Sequence, residues 1–85
     1  MEKDDQLFMQ LMYIFHSTAL QALGKLKNPI SGKIEKNADQ ARQSIDMLEM
    51  LKRKTSGNLA PELSKMLDNF LSELKLNYVD ELNKN

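Results

Sequence analysis

The first segment of the chain is apolar on nearly every side when it is drawn as a helix. No glycine precedes Gly24 and no proline precedes Pro29, so one helix is predicted over residues 4–23, with Gly24 as its left-handed terminating residue. At about 100° per residue, its apolar side chains cover most of the helix circumference. They leave one narrow polar strip, which consists of Gln6, Gln10, Ser17 and Gln21.

Helical periodicity is lost in the segment that follows. Residues 24–37 contain two dipeptides typical of turns, Asn28-Pro29 and Ser31-Gly32. The segment is therefore predicted to be a loop, and a long one for a small domain. We expect Ile30 and Ile34 to hold this loop against the core.

Two further segments have regular helical periodicity and clear ends. Asn37 is a suitable cap for a helix over residues 38–55, with Gln40 reaching back to it as a capping box. Pro61 suits the first turn of a third helix over residues 61–82. Because the connection between these helices is short, they are predicted to form an antiparallel hairpin.

Each helix of the hairpin has an apolar stripe that is suited to face a core. The stripe of the second helix consists of Ala38, Ala41, Ile45, Leu48 and Leu51. The stripe of the third consists of Leu63, Met66, Leu67, Phe70, Leu71, Leu74 and Tyr78. Met47 and Met50 lie off the first of these stripes, where a monomer would expose them. Because methionine packs adaptably, we predict that these two residues contact an unidentified protein partner.

These patterns predict a single all-α domain over residues 1–85, with three helices completed by dimerisation. Two helices cannot surround a third that is apolar on nearly all sides, and each large apolar side chain left in water forgoes about 1.5–3 kcal/mol. We therefore expect a homo-oligomer, most simply a twofold dimer with the first helix at its centre. The residues predicted to make this contact are Leu7, Phe8, Met9, Met12, Phe15, His16, Leu20 and Leu23.

Composition excludes several classes of function. The chain has 85 residues, a formal net charge of zero and no cysteine, which excludes disulfides, thiol catalysis and cysteine-type zinc fingers and suits the cytoplasm. Residues 1–5 are net acidic, whereas a secretory signal begins with positive charge. The first helix contains too many polar side chains for a membrane span. The sequence shows no nucleophile with a partner general base, and it shows no phosphate-binding loop. Neither a cofactor nor an enzymatic activity is therefore predicted.

For the polar residues that could act in catalysis, metal binding or pH sensing, a purely structural role is the favoured interpretation. His16 is the only histidine; at a subunit contact it could make association depend on pH, but a hydrogen bond within a packed contact is the favoured interpretation. Asp46 and Glu49 lie one helical turn apart, a spacing compatible with acid–base or metal chemistry. Arg42 and Arg53 lie four residues before and after them, which favours surface ion pairs.

The predicted loop is basic and supplies a second functional hypothesis. Lysines could contact phosphate groups there, and the candidates are Lys25, Lys27, Lys33 and Lys36. No aromatic residues are interleaved for stacking on bases, so nucleic acid is the less favoured partner. The main prediction is a non-catalytic protein–protein interaction or oligomerisation module, and the alternative is a nucleic-acid-associated accessory protein.

An ordered set of short motifs runs along most of the chain. It consists of Leu23-Gly24, Asn28-Pro29, Gly32, Ala41, Ile45-Asp46, Leu48-Glu49, Leu51, Lys54-Thr55, Gly57-Asn58-Leu59, Leu74 and Tyr78-Val79. In this order, from about Phe8 to Val79, it resembles the small bacterial family catalogued as domain of unknown function 1844. The resemblance implies a compact all-helical protein and brings no activity, cofactor or catalytic residue. Ala60 stands where the family commonly has threonine, which weakens the expected cap of the third helix.

Overall fold

The computed structural model describes residues 2–84 and contains three helices. They are α1 (Lys3–Ala22), α2 (Ala38–Lys54) and α3 (Pro61–Leu82). The predicted all-α class is confirmed, with no strand among the described residues. Within the same part of the chain, no helix has the length and apolarity needed to cross a bilayer.

The end of α1 is built around Gly24. This residue has φ +79°, a backbone conformation that costs glycine little and other residues more. The N–H of Gly24 donates to the Gln21 carbonyl, at 3.0 Å, and that of Lys25 donates to the Leu20 carbonyl, at 2.8 Å. This pair of bonds is the Schellman arrangement, which satisfies carbonyls that the helix end would otherwise leave unpaired.

The start of α2 is capped as predicted in one respect and differently in another. Asn37 Oδ1 accepts a hydrogen bond from the Gln40 N–H, at 3.0 Å. The predicted reciprocal bond from the Gln40 side chain is wrong, because the Asn37 N–H donates instead to the Ala22 carbonyl, at 2.8 Å. That carbonyl lies at the end of α1 and lacks an intrahelical donor. One hydrogen bond therefore joins the two ends of the intervening loop.

The three helices alternate in direction. Tyr13 and His16 of α1 both contact the Phe70 ring of α3, and His16 also reaches Glu73. The contacts advance from Phe70 to Glu73 on α3 as they advance from Tyr13 to His16 on α1, so these two helices run the same way. α2 runs opposite to α3, because Lys52 pairs with Asp68 whereas the earlier Glu49 pairs with the later Lys75. α1 contacts α2 more extensively than it contacts α3.

Small residues allow α1 and α2 to approach each other. Ala19 and Ala22 are buried on α1, and Ala41 and Ser44 are buried on α2. Larger side chains from all three helices fill the space beside them, and the most deeply buried of these are Met12, Leu23, Ile45, Leu48, Leu63, Leu67 and Leu74. A single apolar core thus holds the three helices together.

Candidate interaction surfaces

One side of α1 remains apolar and exposed after the three helices have packed. Leu7, Leu11 and Ile14 keep 50%, 37% and 59% of their surface accessible. They follow one another at intervals of four and three residues, so they lie on one side of the helix. Such spacing is typical of the contact line between two packed helices.

This side of α1 faces away from α3. The α3-facing side of α1 is marked by Tyr13 and His16, which contact Phe70. Leu11 and Ile14 lie roughly 100° or more from both of these residues around the helix axis. Leu7, Leu11 and Ile14 therefore lie on the open side of the α1–α2 pair, which is the side that α3 does not cover.

The off-stripe methionines of α2 lie on the same open side. Glu49 and Lys52 mark the α3-facing side of α2, because they pair with Lys75 and Asp68. Met47 projects away from that side and is exposed, and Met50 is half-buried. Together with the apolar residues of α1 they form a surface that we name the α1–α2 face: Leu7, Leu11, Ile14, Met47 and Met50.

The residues predicted for self-association differ in how far they are buried within the single chain. Met12 and Leu23 are fully buried in the core of the single chain. Partly buried side chains that pack against this core are Phe8, Met9, Phe15 and Leu20. Leu7 is the exposed member of the predicted set. Sequence reasoning omitted Leu11 and Ile14 from the contact, although their spacing from Leu7 was a signal for both.

His16 has a structural partner inside the chain. Its ring stacks on Phe70 with centroids 4.0 Å apart and planes inclined by 14°. Its Nε2–H donates to Glu73 Oε1, at 2.7 Å. Both partners belong to α3, so the imidazole joins α1 to α3 within one chain.

The loop between α1 and α2 has its own hydrogen-bonded structure. Asn28 Oδ1 accepts from the N–H groups of Ile30 and Ser31, and the Asn28 carbonyl accepts from the Gly32 N–H. Ile30 is 95% exposed, and Ile34 is also exposed. The prediction that these two isoleucines hold the loop to the core is therefore wrong, because the turn organised by Asn28 directs Ile30 into solvent.

The four candidate lysines of the loop do not form one free basic patch. Lys25, Lys27 and Lys33 are exposed. Lys36 instead lies over Gly24, where an added Cβ would meet its Cε at 2.7 Å, and its Nζ is 2.6 Å from Glu81 Oε1. Glycine at that position thus leaves room for a lysine that ties the loop to the end of α3.

The ion pairs of Glu81 with Lys36 and Lys84 predict that the stability of the fold depends on pH. The hydrogen bond from Lys36, assisted by Lys84, lowers the pKa of Glu81 below its ordinary value of 4.5. A carboxyl group whose pKa is lower in the folded state stabilises the fold above its unfolded-state pKa and loses that contribution as pH falls through its folded-state pKa. We expect Glu81→Gln to lower the urea midpoint most at neutral pH and least near pH ~3.

Circular dichroism during urea unfolding checks this expectation at several pH values. Asp80→Asn is the matched control, since it removes a neighbouring carboxylate that has no ion pair within residues 2–84. An equal effect of Glu81→Gln at every pH would contradict the proposed contribution of the ion pair.

The carboxylates considered for chemistry on α2 are engaged in ion pairs. Asp46 Oδ1 lies 3.1 Å from Arg42 Nε, as predicted. Glu49 Oε1 lies 3.4 Å from Lys75 Nζ of α3, rather than being paired with Arg53. Across the described residues, no three potential ligands from histidine, cysteine, aspartate and glutamate are grouped closely enough to hold a metal ion.

Comparison with known proteins places this arrangement in a family. The family model described as "Domain of unknown function (DUF1844)" matches residues 5–80. No curated protein and no solved structure matches the chain. Since the matched residues cover most of the chain and confirm the resemblance carried by its motifs, the chain belongs to the DUF1844 family.

Proposed function

We propose that this chain is a non-catalytic self-association module of the cytoplasm, in which the α1–α2 face packs against the same face of a second copy. The exposed line of Leu7, Leu11 and Ile14 is the observation that carries this proposal. Met47 and Met50 extend the apolar surface onto α2. The absence of cysteine suits the reducing compartment.

The polar residues of this surface favour a second copy as the partner. Gln10 and Ser17 flank the apolar line of α1, and Gln43 lies between the two methionines around α2. A twofold contact brings identical surfaces together, and these uncharged side chains create no like-charge repulsion there. Lys54 also lies between the methionines around the helix, but it is the exposed last residue of α2, where its ammonium group can stay in water. The two α1–α2 pairs would then share an apolar layer of four helices.

The area available on this face supports a weak to moderate dimer. Complete burial of a large apolar side chain contributes about 1.5–3 kcal/mol, and these side chains are already about half covered. Five such residues, used by both copies, therefore contribute on the order of 10 kcal/mol. Association itself costs at least about 4 kcal/mol, which leaves a dissociation constant in roughly the micromolar to millimolar range.

Replacement of Ile14 by lysine is expected to keep the protein monomeric. The side chain is exposed within one chain, so its replacement leaves the core intact but places two lysines in the twofold contact. Light scattering after size exclusion measures the mass between about 10 μM and 1 mM protein, concentrations that bracket the expected affinity. The wild type is expected to rise from the chain mass of 9.8 kDa towards twice that value.

Leu76→Lys is the matched control for this experiment. Leu76 is 66% exposed on α3, comparable with Ile14, but it lies on the outer side of the bundle. The control should dimerise like the wild type, and circular dichroism should show that both variants keep their helices. A wild type that remains monomeric throughout the concentration range, or equal dissociation by both substitutions, would reject the proposal.

The nucleic-acid alternative receives less support from the structure. Lys36 is engaged by Glu81, which leaves three exposed lysines from the predicted phosphate-contacting set. The loop also exposes aliphatic side chains, Leu26, Ile30 and Ile34, and none of these stacks on bases as an aromatic ring does. The side chains of the loop therefore give the nucleic-acid alternative less support than the α1–α2 face gives self-association.

A further inference from the structure

The loop between α1 and α2 holds an aliphatic side chain at its tip by internal hydrogen bonds. We name residues 25–36 the Ile30 loop. The bond from the Asn37 N–H to the Ala22 carbonyl closes its base, and Asn28 organises its tip. A compact loop with adjacent ends is an Ω-loop, a type of segment that frequently has a function.

The tip of this loop satisfies its backbone donors without water. Pro29 has no N–H, and the N–H groups of Ile30 and Ser31 both reach Asn28 Oδ1, at 2.8 and 3.3 Å. The Gly32 N–H donates to the Asn28 carbonyl, at 2.7 Å. The Lys33 N–H donates to Ser31 Oγ, at 3.2 Å. Because an unpaired backbone donor is costly outside water, these bonds reduce the cost of moving the tip into an apolar environment.

Lysines lie near the apolar tip in the sequence and are exposed. Lys25 and Lys27 precede it, and Lys33 follows it. Glu35 is the acidic residue of the loop, and its carboxylate accepts the Ser31 hydroxyl, at 2.9 Å. With Lys36 paired to Glu81, the exposed charge near the tip is net positive. An aliphatic tip with nearby cations is complementary to an anionic interface that covers an apolar layer.

We propose that the Ile30 loop docks on the surface of an anionic lipid bilayer. Ile30 enters the boundary between headgroups and acyl chains, while Lys25, Lys27 and Lys33 contact anionic headgroups. Leu26 and Ile34, which are also exposed, widen the apolar contact. This attachment leaves all three helices outside the hydrocarbon layer, and it does not depend on the proposed dimer.

The absence of tryptophan from the chain permits a direct test of insertion. Ile30→Trp places the sole indole at the tip of the loop, whereas Val79→Trp places it at an exposed apolar position on α3. With vesicles of phosphatidylglycerol, the Ile30→Trp emission should shift to the blue and become protected from an aqueous quencher. The Val79→Trp emission should not change, and neither variant should respond to phosphatidylcholine vesicles. An unshifted Ile30→Trp emission with anionic vesicles, or an equal shift at both positions, would overturn the proposal.

Flotation of the protein with the same vesicles tests the aliphatic contact of Ile30 and the electrostatic contact of the lysines separately. Ile30→Ser should weaken binding about tenfold through loss of one buried aliphatic side chain. Combined replacement of Lys25, Lys27 and Lys33 by glutamine should reduce flotation to the level seen with phosphatidylcholine, because each lysine near an anionic surface contributes severalfold to affinity. Val79→Ser is the control and should float like the wild type.

Two results of the flotation experiment would overturn the proposal. The first is a wild-type protein that stays unbound at high phosphatidylglycerol concentration, which would exclude an anionic bilayer as the partner of the loop. The second is equal flotation of the wild type and Ile30→Ser, which would remove the tip from the contact. Because Ile30 is almost fully exposed, its replacement by serine should leave the fold intact, and circular dichroism of the variant checks this.

Discussion

Replacement of Met12 by lysine is expected to abolish the cooperative unfolding transition of this protein. Met12 has no accessible surface in the single chain, and it packs in the core shared by all three helices. An unpaired charge at such a position costs several kcal/mol, a large part of the about 5–15 kcal/mol that stabilises a typical domain. Circular dichroism during thermal and urea unfolding measures the loss.

Leu7→Lys is the matched control, because it introduces the same charge on the same helix at a side chain that is half exposed. Its free energy of unfolding should change by less than about 1 kcal/mol. A Met12→Lys protein with a normal urea midpoint would contradict the placement of Met12 in the core. Met12 was also predicted to contact a second copy, so the comparison shows whether this residue serves the fold of the single chain or the association of two chains.

Replacement of Leu48 by alanine is expected to lower the free energy of unfolding by about 2–5 kcal/mol. Leu48 is completely buried on α2, so truncation loses apolar contact and leaves a cavity that the neighbouring helices fill incompletely. Urea unfolding followed by circular dichroism gives the difference in free energy, with the slope of the transition reporting whether the unfolding remains two-state.

The adjacent Met47→Ala substitution provides the control for this loss. Met47 is exposed on the α1–α2 face, so at low protein concentration its truncation should cost less than about 1 kcal/mol. Equal destabilisation by the two substitutions would contradict the assigned orientation of α2. At high concentration, Met47→Ala should additionally weaken the proposed dimer.

The positions of the helices were predictable because local chemistry determines their ends. Gly24 adopts the left-handed conformation expected of a terminating residue, Asn37 caps α2, and α3 begins at Pro61. Each of these roles follows from a residue's own backbone or side chain. None requires knowledge of how the helices pack.

The orientation of α1 was not predictable in the same way. Apolar residues surround this helix, so its periodicity does not indicate which side meets α2 and α3. The choice depends on tertiary contacts such as those of Tyr13 and His16 with Phe70. Met12 and Leu23 consequently lie in the core, whereas Leu11 and Ile14 keep 37% and 59% of their surface exposed.

For the loop, the hydrophobicity of the side chains gave a wrong prediction of burial. Its apolar residues were expected to be buried because of their side chains, yet Asn28 fixes a turn that leaves Ile30 exposed. Local hydrogen bonds of an asparagine can determine a turn independently of the hydrophobicity of the next residues. For α2, by contrast, one well-defined stripe was sufficient to predict that Met47 lies outside the core, and it is exposed.

The hydrogen bond between Asn37 and Ala22 makes the loop a separable unit of the architecture. The chain leaves α1 and enters α2 at points joined by that bond, so the segment between them does not have to span a distance set by the bundle. The entropy of closing such a segment rises only slowly with its length. Insertions, deletions or exchange of the tip can therefore change the proposed membrane contact during evolution, or in an engineered protein, while the helices keep their packing.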